Sequence, residues 1–214
     1  MNILVTGFEP FDGETINPAL EAARRLHGLR IGGYQVTAVE LPCVFGASIS
    51  TLERHMAALH PDIVLCVGQA GGRTGIDLER VALNIDDARI PDNAGRQPID
   101  EPIVAGGPAA YFSGLPIKAI AAALAAAGIP AGVSQTAGTY VCNHVFYGMS
   151  HLIATRYPQV RGGFVHIPYL PEQAARHAGA ASMALDTIVS GLKLALETAV
   201  AVTDDVKLQG GQTH

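Results

Sequence analysis

The sequence is short of charge and has no excess of basic residues. Only 15% of its 214 residues are charged, and the formal net charge is -5. This composition provides no basic surface for nucleic acid or for an anionic membrane, so we expect neither as a partner. No apolar run approaches the roughly 20 residues that span a bilayer. The first apolar stretch, residues 3–5, is too short for the core of a signal peptide. We therefore expect a cytoplasmic protein.

Cysteine is also scarce, and no disulfide framework or metal site is indicated. The three cysteines, Cys43, Cys66 and Cys142, lie far apart in the sequence, whereas zinc-binding motifs space their cysteines closely. The histidines lack the paired spacing of a zinc-binding helix. The glycine-rich residues 68–75 lack both the G-x-G-x-x-G spacing and the Gly-Lys-Ser/Thr ending of nucleotide-binding loops. We expect no metal and no cofactor.

Apolar residues, by contrast, are plentiful. They make up 49% of the sequence, which is enough for one substantial core. We therefore expect a single domain over residues 1–214, with a flexible polar tail at 203–214. Strand patterns alternate with helix patterns along the chain, and this alternation predicts an α/β domain with helices on both faces of a largely parallel sheet.

The predicted elements follow from apolar periodicity and from proline and glycine signals. The predicted strands are residues 2–6, 34–41, 62–67, 78–85, the neighbourhood of 133, and 163–167. The predicted helices are residues 18–26, 47–59, 116–127, 143–157 and 171–202, the last with potential breaks at Gly179 and Gly191. Residues 86–113 are rich in Pro, Gly, Asn and Asp, which predicts a long irregular segment bordering the site.

Cys142 is the candidate nucleophile. It follows the β-prone residues 139–141 and precedes the predicted helix that begins near Asn143, so it is placed at a strand-to-helix turn. A helix N-terminus favours a thiolate and presents amides that can hold an oxyanion. The competing interpretation is a buried structural thiol. Cys66 lies inside an apolar run and is assigned to the core, and packing is also favoured for Cys43.

His166 is the candidate general base for this thiol. It lies at the end of a predicted strand, just before Pro168, and functional groups of open α/β sheets collect at such strand ends. Its imidazole can accept the thiol proton and later protonate a leaving amine. His144, two residues after Cys142, is the local competitor, although it could instead pack or cap a helix.

Glu79 is the candidate acidic partner. It lies in or beside an apolar strand, where an unpaired carboxylate would be costly. One possible partner is His166, whose ring it would orient and whose charge it would balance. The alternative is a local ion pair with Arg80 or Arg89. The residues alone leave both open.

Several motifs, in this order along the chain, resemble the pyroglutamyl peptidase I family, also called pyrrolidone carboxyl peptidase. They are GFEPFDG at 7–13, NP at 17–18, GQAGGR at 68–73, LERVALNIDDARIPDN at 78–93, GTYVCNH at 138–144 and VHIPYLP at 165–171. The resemblance covers nearly the whole chain. It implies an α/β/α sandwich with a central mixed sheet, a cytoplasmic location, frequent assembly into homotetramers, and removal of an N-terminal pyroglutamyl residue from peptides.

The resemblance also implies roles for individual residues. It makes Cys142 the nucleophile, His166 the base and Glu79 the acidic partner, with Arg89 helping the Cys142 amide to stabilise the oxyanion. The alternative for Arg89 is pairing with a neighbouring aspartate. The implied pocket for the ring consists of Phe8, Phe11, Ile90, Tyr140 and Val141, with Gln69 and Asn17 as polar residues near the ring or its supporting loop.

This pocket suits a pyroglutamyl ring, which is a flat, neutral lactam that aromatic walls can bury. Three positions depart from the family pattern: Tyr140 lies where phenylalanine is also familiar, Cys43 lies where threonine can occur, and Asp12 replaces a glycine that is often found in the opening loop. Two alternative functions remain open. One is a different transferase or hydrolase on a similar sheet, such as a nucleoside phosphorylase, and the other is a noncatalytic binder of pyroglutamyl peptides.

Overall fold

In residues 1–211, which the computed structural model describes, a seven-stranded mixed sheet forms the centre and helices cover both of its faces. The strands are β1 (Asn2–Phe8), β2 (Arg30–Ile31), β3 (Tyr34–Leu41), β4 (Ile63–Gln69), β5 (Ile76–Glu79), β6 (Val81–Leu83), β7 (Ala110–Phe112), β8 (Ala131–Ser134) and β9 (Arg161–Ile167). The helices are α1 (Pro18–Leu26), α2 (Ala47–Leu59), α3 (Ile117–Ala126), α4 (Val141–Arg156), α5 (Pro171–Ala174) and α6 (Leu185–Ala201).

The strand order of the main sheet is β2-β3-β1-β4-β9-β5-β8. Strands β3, β1, β4 and β9 run parallel to one another, whereas β2 is antiparallel to β3 and β5 is antiparallel to β9. Strands β6 and β7 form a separate two-stranded sheet. The predicted three-layer α/β/α architecture with a mixed, mostly parallel sheet is therefore confirmed.

Each face of the sheet buries its own apolar cluster. Successive side chains of a strand point to opposite faces, so Leu65 of β4 packs with α1, α3 and α6, whereas Cys66 packs with α2 and α4. Because both faces are covered, β4 is buried along its whole length, which explains its continuous apolar run. In β9, Phe164 belongs to the cluster on the α4 face.

The segment between β1 and α1 shows how local chemistry fixes a helix start. The side chain of Asn17 caps α1, since its Oδ1 accepts a hydrogen bond from the Ala19 amide at 3.0 Å. Pro18 occupies the first turn, where its missing amide costs nothing. These two residues end the loop over residues 9–17 that carries Phe11.

The predicted strand over residues 78–85 is wrong as a single element. Its first part is β5, which lies in the main sheet, and its second part is β6, which pairs with β7. The chain leaves the main sheet at Arg80, whose carbonyl accepts a hydrogen bond from the Ser113 amide at 2.8 Å. Apolar periodicity cannot distinguish one bent strand from two strands in different sheets.

The predicted helix over residues 171–202 is also wrong as a single element. It divides into α5 and α6, and the residues between them include Gly179 at a φ of +77°, which is incompatible with a continuing helix. Gly191 lies inside α6 and does not break it.

The surroundings of Cys142 differ from the sequence expectation in one respect. Residues 139–141 do not form a strand, since β8 ends at Ser134 and a loop leads directly into α4, which begins at Val141. Cys142 is therefore the second residue of the helix rather than the residue before it. Its amide remains among the first ones of the helix, which have no intrahelical acceptor.

Residues 86–113 form the expected irregular segment, apart from β7. Buried polar contacts fix it to the domain. The Asp92 carboxylate accepts hydrogen bonds from the amides of Phe45, Ala94 and Arg96, at 2.9, 2.9 and 2.8 Å. The Asn84 side chain closes a second loop by bonding both the amide and the carbonyl of Val104.

The polar end of the chain has no regular secondary structure after α6, but it contacts the domain. The Asp205 carboxylate accepts hydrogen bonds from two backbone amides in the first turn of α3. The carbonyl of Gly210 accepts one from the Arg80 guanidinium at 3.1 Å. The flexibility of residues 203–214 stays a prediction, and residues 212–214 lie outside the described part.

No helix in residues 1–211 is both long enough and apolar enough to cross a membrane.

Candidate active site

A cleft of about 480 Å³ opens where α4 begins and β4 and β9 end. Seven predicted site residues line it: Cys142, His166, Arg89, Phe11, Gln69, Ile90 and Tyr140. Four predicted site residues lie behind its walls in this structure: Phe8, Asn17, Val141 and Glu79. Residues predicted from five separate stretches of sequence are thus brought together at one cleft.

The sulfur of Cys142 lies over a glycine of the sheet. A Cβ atom added to Gly68 would be only 2.8 Å from Cys142 Sγ, which is far inside van der Waals contact. Gly68 in turn is the register partner of His166 on the neighbouring parallel strand. The absence of a side chain at Gly68 therefore lets the thiol approach the strand end that carries the imidazole.

The surroundings of the Cys142 thiol oppose its ionisation. Burial raises its pKa well above the usual thiol value, and neighbouring acidic groups, namely Cys43 and the Glu79 carboxylate, act in the same direction. Burial therefore acts against the stabilisation of a thiolate that the helix start provides. Cys142 Sγ and the His166 ring both line the cleft, and among the described residues they share no hydrogen bond.

His166 is held by Glu79. The His166 Nδ1–H donates to Glu79 Oε1 at 2.8 Å, and both side chains are buried, with 4% and 0% exposed. With Nδ1 as the donor to this carboxylate, the neutral ring has its lone pair on Nε2, which is the atom a general base would use. The ring also packs against Phe164, with its centroid at 5.0 Å. Both contacts restrict the orientation of the imidazole.

Glu79 has a second partner that sequence reasoning missed. Arg73 Nη2 lies 3.3 Å from Glu79 Oε1, and Arg73 Nη1 lies 2.9 Å from Asp77. The guanidinium also donates to Ser134 Oγ at 3.2 Å. Neither Arg80 nor Arg89 makes an ion pair with Glu79 within the described residues. The signal for Arg73 was its position at the end of the GQAGGR motif.

His144 is occupied elsewhere and does not compete for the thiol. Its Nδ1 lies 2.8 Å from the Asp86 carboxylate, and its Nε2 accepts a hydrogen bond from the Gly46 amide at 2.8 Å. Both ring nitrogens are thus satisfied in a buried setting. His144 fixes the loop before α2 to the start of α4, which is a structural role.

Two potential hydrogen-bond donors, the Cys142 amide and the Arg89 guanidinium, belong to residues that line the cleft. The Cys142 amide has no side-chain cap, because Tyr140 at the cap position makes no such bond. Arg89 is exposed, lines the cleft, and makes no ion pair with any residue in 1–211. The predicted alternative, pairing with Asp86 or Asp87, is not formed among the described residues, and Asp86 binds His144 instead. The guanidinium is therefore available to a ligand.

Polar contacts hold the irregular segment that carries Arg89 beside the start of α4. The buried Asn143 side chain bonds both the amide and the carbonyl of Leu83, at 3.0 and 2.9 Å. Thr139 Oγ1 donates to the Asp87 carbonyl at 2.7 Å. These contacts hold the backbone near Arg89 beside the first turn of α4, which carries Cys142.

Aromatic side chains form the apolar part of the cleft. The rings of Phe11 and Tyr140 lie 6.0 Å apart, and Phe45 meets Tyr140 edge-on at 5.5 Å. Phe8 packs behind this surface against Phe164 at 6.4 Å. Such a wall favours a flat, uncharged group.

The three positions that depart from the family have structural consequences. The Cys43 thiol lies 3.9 Å from the Tyr140 hydroxyl, so these two departures contact each other. The Tyr140 hydroxyl donates to the Pro91 carbonyl at 3.0 Å. Asp12 adopts a φ of +53°, a conformation that glycine occupies with less strain.

The far wall of the cleft contains residues that the sequence gave no reason to single out. The rings of Tyr169 and His177 stack with centroids 4.7 Å apart. Glu14 accepts hydrogen bonds from His177 at 2.8 Å and from Arg176, and the pKa of its carboxyl is lowered, chiefly by the hydrogen bond from His177. Gln173 lies fully buried behind them.

Comparison with known proteins gives consistent matches. The family model described as pyroglutamyl peptidase matches residues 1–202. The chain is 59% identical over 212 residues to the pyrrolidone-carboxylate peptidase of Erwinia tasmaniensis, and 60% identical over 212 residues to pyrrolidone-carboxylate peptidase 1 of Ralstonia nicotianae. Each alignment covers 99% of this chain and 99% of the relative.

Solved structures match as well. The crystal structure of pyroglutamyl peptidase I from Bacillus amyloliquefaciens superposes with a TM-score of 0.94 at 52% identity, covering 96% of this chain and 99% of that one. A mutant pyrrolidone carboxyl peptidase from Pyrococcus furiosus superposes with a TM-score of 0.91 at 46% identity, covering 94% and 99%.

Proposed function

This chain belongs to the pyroglutamyl peptidase family, and we propose that it removes the N-terminal pyroglutamyl residue from peptides with Cys142 as its nucleophile. One observation carries the assignment of residues. The Cys142 thiol and the buried His166–Glu79 pair meet at the same cleft. The sulfur lies over Gly68, which is the register partner of His166 on the adjacent strand.

The first half of the reaction forms a thioester. His166 Nε2 takes the proton from Cys142 Sγ as the sulfur attacks the pyroglutamyl carbonyl carbon. The oxyanion of the tetrahedral intermediate lies between the Cys142 amide and Arg89, whose donors are preorganised for it. When the intermediate collapses, the carbon–nitrogen bond breaks and the imidazolium gives its proton to the departing amine.

The second half regenerates the thiol. His166 takes a proton from a water molecule as that water attacks the thioester carbonyl carbon. The carbon–sulfur bond then breaks, the sulfur regains a proton from His166, and pyroglutamate leaves. Glu79 keeps the Nδ1 proton directed away from the cleft and balances the positive charge of the imidazolium in both halves.

The raised pKa of Cys142 gives His166 a larger part in this mechanism. A standing thiolate could attack without a base, whereas a thiol whose pKa is raised needs a group to take its proton as the new bond forms. Loss of the imidazole should therefore affect the acylation step as strongly as loss of the sulfur does.

Substrate selection follows from the cleft. Phe11, Ile90 and Tyr140 provide apolar surface for the ring, and the Gln69 side chain provides a polar contact. A peptide with an ordinary N-terminus would bring a charged ammonium against this surface, where desolvation of the charge is unfavourable. The cyclised N-terminus carries no such charge.

We further propose a cytoplasmic location and assembly into homotetramers, with no cofactor. The family resemblance supports the first two. The three cysteines, all free and in residues 1–211, are compatible with a reducing compartment.

The test is the release of free pyroglutamate from a pyroglutamyl-amide reporter under reducing conditions. We expect turnover by the wild type and none above background by Cys142→Ala or His166→Ala, with thermal stability retained. Because His144 has both ring nitrogens occupied, His144→Gln is the matched control for the base: it should lower stability while keeping turnover within about tenfold of wild type.

Two results would contradict the proposal. Turnover at the wild-type rate by Cys142→Ala would exclude the sulfur as nucleophile. Binding of a pyroglutamyl peptide by the wild type without release of pyroglutamate would instead identify a noncatalytic binder that uses the same cleft.

A further inference from the structure

We infer that Gln173 is a positioning residue for substrate recognition, which fixes the side-chain amide of Gln69 with its NH₂ group toward the cleft, where it donates to the lactam carbonyl of the pyroglutamyl ring. This inference rests on the proposed function. It assigns a direction to the Gln69 amide and a role to a residue outside the catalytic set.

Gln173 is fully buried behind the cleft, with 0% of its surface exposed. Its Nε2 donates to Gln69 Oε1 at 3.1 Å and to Glu14 Oε2 at 3.2 Å, and approaches the Ile16 carbonyl at 3.4 Å. Its Oε1 accepts a hydrogen bond from the Leu170 amide at 3.1 Å. A buried amide is thus satisfied at both ends.

These partners allow Gln173 only one orientation. The Leu170 N–H can only donate, so the oxygen of the Gln173 amide must face it. The Ile16 carbonyl and the ionised Glu14 carboxylate can only accept, so the nitrogen must face them. Glu14 is kept ionised by His177, whose hydrogen bond lowers the pKa of the carboxyl, and by Arg176.

The fixed Gln173 amide determines the orientation of Gln69 in turn. Its NH₂ group points at Gln69, so the Gln69 oxygen must be the atom that faces inward. The Gln69 Nε2 is then the atom left for the cleft, and it makes no hydrogen bond with any residue in 1–211. A free amide donor at the end of β4 is the complement of a carbonyl acceptor.

The chemistry of the ring selects this direction. A lactam carbonyl accepts hydrogen bonds, so it pairs with the Gln69 NH₂ group. The flipped amide would set two carbonyl oxygens against each other and leave both without a donor in a desolvated site. Gln173 prevents the flip before substrate arrives, so the orientation costs nothing at the moment of binding.

Steady-state kinetics with a pyroglutamyl-amide reporter test the inference through a double-mutant cycle of Gln173→Met, Gln69→Ala and the combined variant. We expect Gln173→Met to raise KM roughly tenfold, with kcat changing less than threefold, because one hydrogen bond in the bound state loses its preorganisation. The combined variant should match Gln69→Ala alone, since Gln173 acts through Gln69.

Arg176→Met is the matched control. It removes one partner of Glu14 on the same loop but leaves the Gln173–Gln69 hydrogen bond, so KM should stay within twofold of wild type. If Arg176→Met raised KM as much as Gln173→Met, or if the two effects of the cycle simply added, the loss would come from a displaced loop and the inference would be overturned. A folded Gln173→Met variant with the wild-type KM would also overturn it.

Gln69→Glu keeps the test decisive if Gln173→Met does not fold. A carboxylate still accepts from Gln173 but presents only acceptors to the cleft, so binding should be weaker than in Gln69→Ala. Binding as tight as wild type would refute the assigned donor. Failure of the wild type to release any pyroglutamate would instead overturn the proposed function, and this inference with it.

Discussion

Replacement of Gly68 by alanine tests the position of the nucleophile without changing any catalytic side chain. The new Cβ would lie 2.8 Å from Cys142 Sγ and 2.9 Å from Phe164 Cζ. Favourable contacts of this kind lie at about 3.5–4.0 Å. The sulfur or the strand must therefore move by roughly 1 Å to accommodate one methyl group.

The expected effects follow from that displacement. A misplacement of about 1 Å can cost about 100-fold in rate, so kcat should fall by about that factor. Overpacking of a core costs about 1–3 kcal/mol. In a domain of this size, that corresponds to a decrease in Tm of about 2–12 °C. The rate effect should thus far exceed what partial unfolding explains.

Gly132→Ala is the matched control on strand β8. Its added Cβ would meet only the Asp77 carboxylate at 3.5 Å, which is ordinary contact. We expect kcat within twofold of wild type for this variant. Reporter turnover gives kcat, differential scanning fluorimetry gives Tm, and iodoacetamide labelling read by mass spectrometry reports access to Cys142.

Two results for Gly68→Ala would refute the reasoning. An unchanged Tm together with an unchanged kcat would mean that the sulfur does not lie over Gly68. A lowered Tm with the wild-type kcat would mean that the sulfur moves without consequence, and that its placement beside the strand of His166 does not determine the rate.

Three further predictions concern the charges of the site. Glu79→Gln keeps a hydrogen-bond acceptor for His166 but removes the negative charge. The attraction of that charge to an imidazolium about 4 Å away is about 4 kcal/mol at an effective dielectric constant of 20, so kcat should fall by about 100- to 1,000-fold. A loss of kcat below threefold would contradict the role of Glu79. Arg89→Met should lower kcat by about 100- to 1,000-fold with little change in Tm, because an exposed oxyanion donor is lost; an effect confined to KM would argue for a role in binding. In His166→Ala, iodoacetamide should label Cys142 slowly at pH 7, and the labelling rate should keep rising beyond pH 9. The reason is that burial raises the pKa of the thiol, so the reactive thiolate forms only as pH rises. A labelling rate that reached a plateau below pH 8, after subtraction of the labelling in Cys142→Ala, would disprove this.

Much of the fold could be predicted because its signals are local. Alternating apolar patterns predicted the sandwich, and the continuous apolar run of β4 predicted burial on both faces. Proline and glycine signals placed α1 and α3 within two residues of their observed ends. The errors occurred where local pattern and tertiary pairing differ, as at Arg80, where one apparent strand divides between two sheets.

The site was predictable as a set of residue types but not as an arrangement. Cys142 was singled out by its place at a helix start, and His166 by its place at a strand end. The sequence could not decide the partner of Glu79, because that partner depends on how β5 pairs with β9. The two strands run antiparallel, and their register places Glu79 opposite Phe164, two residues from His166. No periodicity reports strand direction.

The sequence by itself determined the class of fold, the family and the candidates for the reacting groups, because these depend on short motifs and on apolar spacing along the chain. Only the tertiary structure decided the burial that raises the pKa of Cys142, the contacts that occupy His144, and the hydrogen bonds from Glu14 through Gln173 to Gln69. Each of these depends on desolvation or on hydrogen bonds between residues distant in sequence. The packing of the helices against the sheet decides which groups are desolvated and which are close enough to bond.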